Sequence, residues 1–514
     1  MSACSIPLCL SVCALLAAAM ACCLTADAGQ PSAALKAGFA ERDITPKLGM
    51  EQPGGYGKAF HRTFHDPCKV RAAVFDDGNN RVAVVGIDAL MIRRGSVLAA
   101  RKGIRDKCGI PEENILIAAS HSHSSGPTGM VQPGEFDHAS ELVKTLAYEK
   151  SSCADAEYLR LVEQQIVDAV VAADASRQEA RCGAGFGLED KVAFNRRFRM
   201  KNGQTWTHPG QNNPEIVEPA GPIDPQVGVL GAWDAKGKLI GCLVNYACHA
   251  TTSPGGISAN YIYYLEQTVR GTFGPEAIVV FLPGCCGDIT QVDNRSPYAN
   301  PSPEDWARIV GGRVGAEAVK TLLSVPRGPL VPVQARSKTL TLKHRVPRPE
   351  RVAQCLELVK KDPQQVGATQ WTFAKEIVLL DALLAKKGKD PKAEVEVQAV
   401  QVGPIVLLAT PGEMFCQLGL DMKAGSPFPF TFPVELANDC VGYVPTEEAF
   451  GPHGGGYELR LTSYSNLEPS AGAKMVQACI ELAKSLSPGA VPQHPPASPS
   501  RGPWSYGNVP PEAD

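Results

Sequence analysis

The sequence of 514 residues has no excess of either charge: 50 Lys and Arg stand against 53 Asp and Glu, a formal net charge of -3. It therefore offers no basic field for a nucleic acid and no polybasic patch for an anionic membrane. There is no C-x-x-C pair among its 17 cysteines, which excludes a thiolate zinc knuckle and a thioredoxin-like centre. Beyond the N-terminal region no apolar run reaches the roughly 20 residues of a membrane span. No break in composition forces a domain cut between about residue 35 and residue 487, and no internal repeat is evident.

What is present begins with an export signal. Leu8 to Leu24 is almost continuously apolar and Ala26-Asp27-Ala28 fits a small-x-small cleavage site, so residues 1–28 read as a signal peptide. The chain is expected to be exported, to a periplasm or outside the cell. No Lys or Arg precedes the apolar run, and Cys22 or Cys23 offers the minority alternative of a lipid-anchored form. Twelve cysteines remain after the signal, an even number that permits disulfides in an exported protein without revealing their pairing. Cys242, Cys248 and Cys416 lie in apolar runs, where buried free thiols are expected.

Residues 36–487 read as one large mixed α/β domain. Strands are expected at 36–45, 70–75, 81–87, 114–119, 227–232, 239–246 and 277–282, alternating with helices at 96–108, 157–173 and 306–323. Asp234-Ala235-Lys236-Gly237 has hairpin-turn chemistry. Residues 349–389 suit an inserted helical pair. The strict alternation of 394–402 predicts a half-exposed strand, with 405–409 as its apolar hairpin partner and 471–486 as a last helix. From 488 to 514 Pro, Ser and Gly dominate, and this tail is expected to be disordered.

The chemistry gathers at the ends of apolar strands. The strand at 114–119 runs into Ser120-His121-Ser122-His123-Ser124-Ser125-Gly126-Pro127. If strand geometry persisted, His121 and His123 would point the same way, and imidazole suits zinc. A second apolar strand runs into His249, and a third into Gly284-Cys285-Cys286-Gly287-Asp288-Ile289-Thr290. Taken singly, each has a plainer reading as a histidine or hydroxyl that closes a loop. Adjacent Cys285 and Cys286 suit packing rather than a strained disulfide ring.

The order of these segments resembles the neutral, non-lysosomal ceramidase family. The resemblance rests on Arg42-Asp43-Ile44-Thr45, the His-x-His-Ser-x-Gly-Pro turn, the strand ending in His249-Ala250-Thr251, and Gly287-Asp288-Ile289-Thr290. It continues through Pro411-Gly412-Glu413, Tyr443-Val444-Pro445-Thr446-Glu447-Glu448 and, with rearranged glycines, Gly454-Gly455-Gly456-Tyr457-Glu458, and so covers about residues 36–465. It implies the fold of that family's N-terminal catalytic domain and one zinc ion per chain, held by His121, His249, Glu413 and Tyr443. It further implies that Thr290, which stands where the family has serine, acts at the site with His123, Arg196 and Tyr457. The implied activity is hydrolysis of a carboxamide bond in ceramide or a related N-acyl compound, with peripheral contact to lipid surfaces. The family's C-terminal β-sandwich is replaced by the Pro-rich tail, which leaves two alternatives: a zinc esterase or deacylase on a non-lipid substrate, and a non-catalytic exported binding protein. The sequence does not fix the oligomeric state.

Overall fold

The computed structural model describes residues 35–499, 502–504, 506–507 and 509–513. The signal segment lies outside them. The expected strands are present, and they assemble into one pattern used three times. In the first unit Lys36–Asp43, Lys69–Asp76 and Arg81–Ile87 form an antiparallel meander. Helix Arg94–Cys108 then crosses over so that Ile115–Ala119 lies parallel to Arg81–Ile87, since a parallel neighbour cannot be reached by a tight turn. Helix Ala156–Ala175 closes the unit, started by Asp155, whose side chain accepts from the Glu157 and Tyr158 amides.

The second unit repeats this with Arg181–Leu188, Gln226–Trp233 and Leu239–Tyr246, the crossover helix Tyr261–Phe273, parallel Ile278–Pro283 and helix Pro303–Ser324. The third uses Val333–Lys343, Lys392–Val402 and Ile405–Ala409, crossover helix Cys416–Gly425, parallel Phe430–Val434 and helix Ala471–Lys484. Each unit packs its two helices on one face of its own sheet. The other faces meet in a shared core that includes Val84 and Leu116, Leu243 and Val280, and Leu407 and Phe432. Strands buried on both faces read as unbroken apolar runs, which is why they were legible.

The threefold pattern corrects the expectation of no internal repeat. The sequence reading lacked the strands Arg181–Leu188, Val333–Lys343 and Phe430–Val434 and the helices Tyr261–Phe273 and Cys416–Gly425, and without them the units do not match. The strand at 394–402 is also not half-exposed: residues 395–402 are all buried. Its polar alternates are satisfied inside, Glu396 by Arg101 and Gln398 by Asn438 and the Glu113 carbonyl. Their alternation marks a seam between units rather than a face open to water.

The inserted helices Pro349–Val359 and Ala368–Ala385 sit within the third unit and cover residues 131–147 of the first, through Val352, Ile377, Val131, Phe136 and Leu146. All twelve cysteines among the described residues are free thiols, and ten are buried. The start of the tail follows the body, with Ser487 O accepting from Gln401 Nε2 and the Gly489 amide bonded to Gly403 O. Among the described residues no helix is long and apolar enough to cross a membrane.

Candidate metal centre

The parallel strand pairs of the three units direct their C-terminal ends into one region. His121 follows Ile115–Ala119, His249 follows Leu239–Tyr246, and Glu413 and Tyr443 follow the two parallel strands of the third unit. His121 does not continue its strand: its φ is 64°, a left-handed conformation that is strained for a non-glycine residue. That turn, and not the strand's pleat, brings the His121 and His123 rings to 4.7 Å, as near as His121 is to His249. Glu413 and Tyr443 are partners in the short parallel pairing of Glu413–Met414 with Tyr443–Val444, so they stand side by side.

The protonation pattern indicates what the cluster is built for. His121 Nδ1 lies 2.8 Å from Leu90 O and His249 Nδ1 lies 2.5 Å from Cys286 O. A carbonyl only accepts, so both rings carry their proton on Nδ1 and aim the Nε2 lone pair inwards. Burial and the nearby Arg196 push His249 down to about 3, so it is neutral at ordinary pH. Glu413 Oε2 lies 3.3 Å from both Nε2 atoms, and neither Glu413 Oε2 nor His249 Nε2 has a hydrogen-bond partner.

A carboxylate oxygen and two nitrogen lone pairs thus face one another in a dry interior, an arrangement of acceptors that is costly unless a proton or a metal cation lies between them. Two ligand atoms on one tetrahedral zinc, each about 2.0–2.1 Å from the ion, are about 3.3 Å apart. The donors therefore fit a zinc-sized ion. A metal-capable cluster is formed by His121, His249 and His123, with His123 Nε2 3.2 Å from that of His121. Burial and the neighbouring His121 and His249 push His123 well below its ordinary value. His123, implied by the resemblance as a hydrogen-bonding group, is thus as close to the centre as the implied ligands.

The remaining implied residues divide. Tyr443 OH is 2.7 Å from Tyr457 OH and accepts from Arg196 Nη2 at 3.2 Å. Arg196 is buried, ion-paired with Glu458 at 2.9 Å, and lies over both tyrosine rings. Burial pushes Tyr457 up to about 12, so its phenol keeps its proton. Thr290 is buried one residue from Ile289, whose carbonyl accepts from the His249 amide, but its own hydroxyl accepts from the Val292 amide at 3.3 Å and closes a turn. Arg196 and Arg197 are both buried.

The sequence reading missed several groups here. Glu458 holds both Arg196 and Thr207, and its position beside Tyr457 was its only signal. Tyr56 and Tyr464 line the small pocket at the metal ligands, with their hydroxyls 3.1 Å apart; nothing in their local sequence marks them. Beneath His249, Cys286 donates its amide and thiol to the buried Glu435 carboxyl at 3.0 and 2.9 Å.

No protein-family model matches the sequence. The chain is similar to the neutral ceramidase of Pseudomonas aeruginosa, 25% identical over 300 residues, which is 55% of this chain and 41% of that protein. The sequence match therefore spans less than half of that relative's length. The crystal structure of neutral ceramidase from Pseudomonas aeruginosa superposes with a TM-score of 0.65 at 20% identity, over 90% of this chain and 76% of that one. A ceramidase complexed with C2 superposes with a TM-score of 0.63 at 18% identity, over 90% of this chain and 77% of that one. The chain thus has the fold of the neutral ceramidase structures, and it carries a histidine cluster able to hold a metal.

Proposed function

We propose that this chain is a zinc-dependent hydrolase that cleaves the carboxamide bond of ceramide or a related N-acyl compound. The carrying observation is that Glu413 Oε2 lies 3.3 Å from both His121 Nε2 and His249 Nε2, with Glu413 Oε2 and His249 Nε2 lacking any hydrogen-bond partner. Tyr443, beside Glu413 in the short parallel pair, is the fourth ligand of this reading. When bound there, zinc activates a water and polarises the amide carbonyl. The substrate class follows the names of the relatives. Leu48, Phe60 and Phe64, each at least 45% exposed on the segment that carries Tyr56, suit contact with a lipid surface after export.

The residues supply what zinc does not. The buried Arg196 guanidinium, fixed by Glu458, places positive charge beside the Tyr443–Tyr457 pair where an oxyanion develops. Tyr457, kept protonated, is placed to give the leaving amine its proton. His123, kept neutral, orients water or substrate. A second reading, deacylation of a small ester or amide, is favoured by the size of the pocket at the ligands, about 30 Å³.

Metal analysis combined with turnover of N-acyl compounds tests the proposal. The purified protein should bind one zinc per chain and hydrolyse an N-acyl amide. His121→Ala should lose both metal and turnover. Thr290→Ala should keep the metal and lose at most about 10²–10³ in rate, and Thr290→Ser should retain most activity. Full occupancy by another metal, or none after reconstitution, would overturn the assignment. Equal metal loss in the two alanine variants would show that the roles are misassigned.

A further inference from the structure

Two hollows meet at one side chain. The pocket at the metal ligands holds about 30 Å³ and is walled by Tyr56 and Tyr464. Tyr464 also lines a larger cavity of about 350 Å³, within the range of small-molecule sites. Leu380, Leu383 and Leu384 of helix Ala368–Ala385 line it, together with Val441 and Leu467. Arg93, Lys386, Lys387 and Glu394 also contribute to its lining, giving it an apolar wall and a charged one.

Tyr464 is held in place from several sides. Its hydroxyl is 3.1 Å from that of Tyr56, and its ring packs 6.0 Å from Tyr56 and 6.3 Å from Tyr443. Neighbouring residues of one inserted helix fasten both tyrosine segments. Lys375, 1% exposed, gives its ammonium to the carbonyls of Tyr56 and Lys150. Glu376, 3% exposed, accepts from the amide and hydroxyl of Ser463, the residue before Tyr464. Phe373 from the same helix packs against the Tyr56 ring. A buried ammonium is costly unless it is bonded, and here its bonds go to the segments that carry the wall.

A third hollow gives the substrate a direction. Tyr457 lines an open groove with Trp206 and His208, whereas Tyr464 lines the pocket, and Tyr443 touches both rings. A substrate with its amine at the proton donor Tyr457 extends that amine along the groove and turns its acyl group towards Tyr464. We infer, on the N-acyl hydrolase reading above and for a short N-acyl compound rather than long-chain ceramide, that Tyr464 sets acyl-chain length: as held by Tyr56 and the Lys375–Glu376 pair, it confines the acyl group to the small pocket and shuts it out of the leucine-lined cavity. Lys375 and Glu376 are positioning residues for this wall.

The test compares acetyl, hexanoyl and dodecanoyl amides of one amine on the zinc-loaded protein. The native enzyme should favour acetyl over dodecanoyl by at least about tenfold in kcat/KM, the discrimination that a methylene-scale clash supports. Tyr464→Ala should move that ratio at least about tenfold towards dodecanoyl, and Tyr464→Phe should leave it in place. Adding Leu383→Trp to Tyr464→Ala refills the cavity and should restore the native ratio. Tyr464→Leu supplies the same comparison if the alanine variant does not fold. Glu376→Gln should move the ratio part of the way with zinc retained. An unchanged ratio in folded, zinc-loaded Tyr464→Ala or Tyr464→Leu overturns the inference, as does a native enzyme indifferent to chain length. Calorimetric binding of dodecanoate separates this from failure of the hydrolase reading. If no amide is turned over, Tyr464→Ala should still bind dodecanoate about tenfold more tightly than the native protein, and equal binding overturns the wall.

Discussion

Single residues at this centre owe their state to burial more than to their immediate sequence. His249 and Glu435 are both fully enclosed and lie on either side of Cys286, which joins them through its carbonyl on one side and its amide and thiol on the other. Burial keeps the imidazole unprotonated and pushes the Glu435 carboxyl well above the usual range. The sign of the second effect is testable. A carboxyl whose folded pKa is raised stabilises the fold below its unfolded value of about 4.5, and that contribution is lost as pH rises through the folded pKa. Glu435→Gln, neutral at every pH, should therefore gain stability relative to the native protein as pH rises above 4.5 and show no advantage below it. Denaturant unfolding across that range measures this. An advantage that is the same at all pH values would mean that Glu435 is not held protonated.

Between elements, the ligands are placed by close approaches of backbone. Gly287 donates its amide to Met414 O at 2.8 Å, and its carbonyl accepts from Arg196 Nη2. A Cβ there would stand 2.3 Å from Glu413 O, so only glycine lets the second unit's loop lie against the strand that carries Glu413. Gly287→Ala should displace that strand, cost about 1–3 kcal/mol of stability and weaken zinc binding about 10–100-fold. Zinc titration and thermal unfolding would measure the two losses. Intact zinc affinity in a destabilised variant would show that Glu413 does not depend on this contact. Gly287 stood within a recognisable segment, yet its reason is a contact with residues far along the chain, which no local pattern reports.

For the molecule as a whole, a single site draws His121 from the first unit, His249 from the second and Glu413 and Tyr443 from the third. Anything bound there ties all three together. Zinc at about 100 times its Kd should add about 2.7 kcal/mol, so chelation should lower Tm and zinc should restore it. The shared core between the sheets should keep the metal-free transition single in calorimetry. Two separated transitions after chelation would show units that unfold independently, joined only by the metal.

The sequence by itself determined many of the buried strands, because a strand enclosed on both faces usually reads as a nearly unbroken apolar run, as in Ile115–Ala119 and Ile405–Ala409. It also pointed to the polar, glycine-rich ends of these strands as candidate sites, where each histidine taken singly reads as well as a residue that closes a loop. Only the tertiary structure decided that the ends converge. The left-handed turn at His121, the carbonyls of Leu90 and Cys286 that set the tautomers, and the Tyr56–Tyr464 wall held by Lys375 and Glu376 all depend on partners distant in the chain. The threefold architecture was hidden for a related reason. Each unit's outer strand and crossover helix need only suit their neighbours in space, so the pattern persists in strand order while the residues that would reveal it differ from unit to unit.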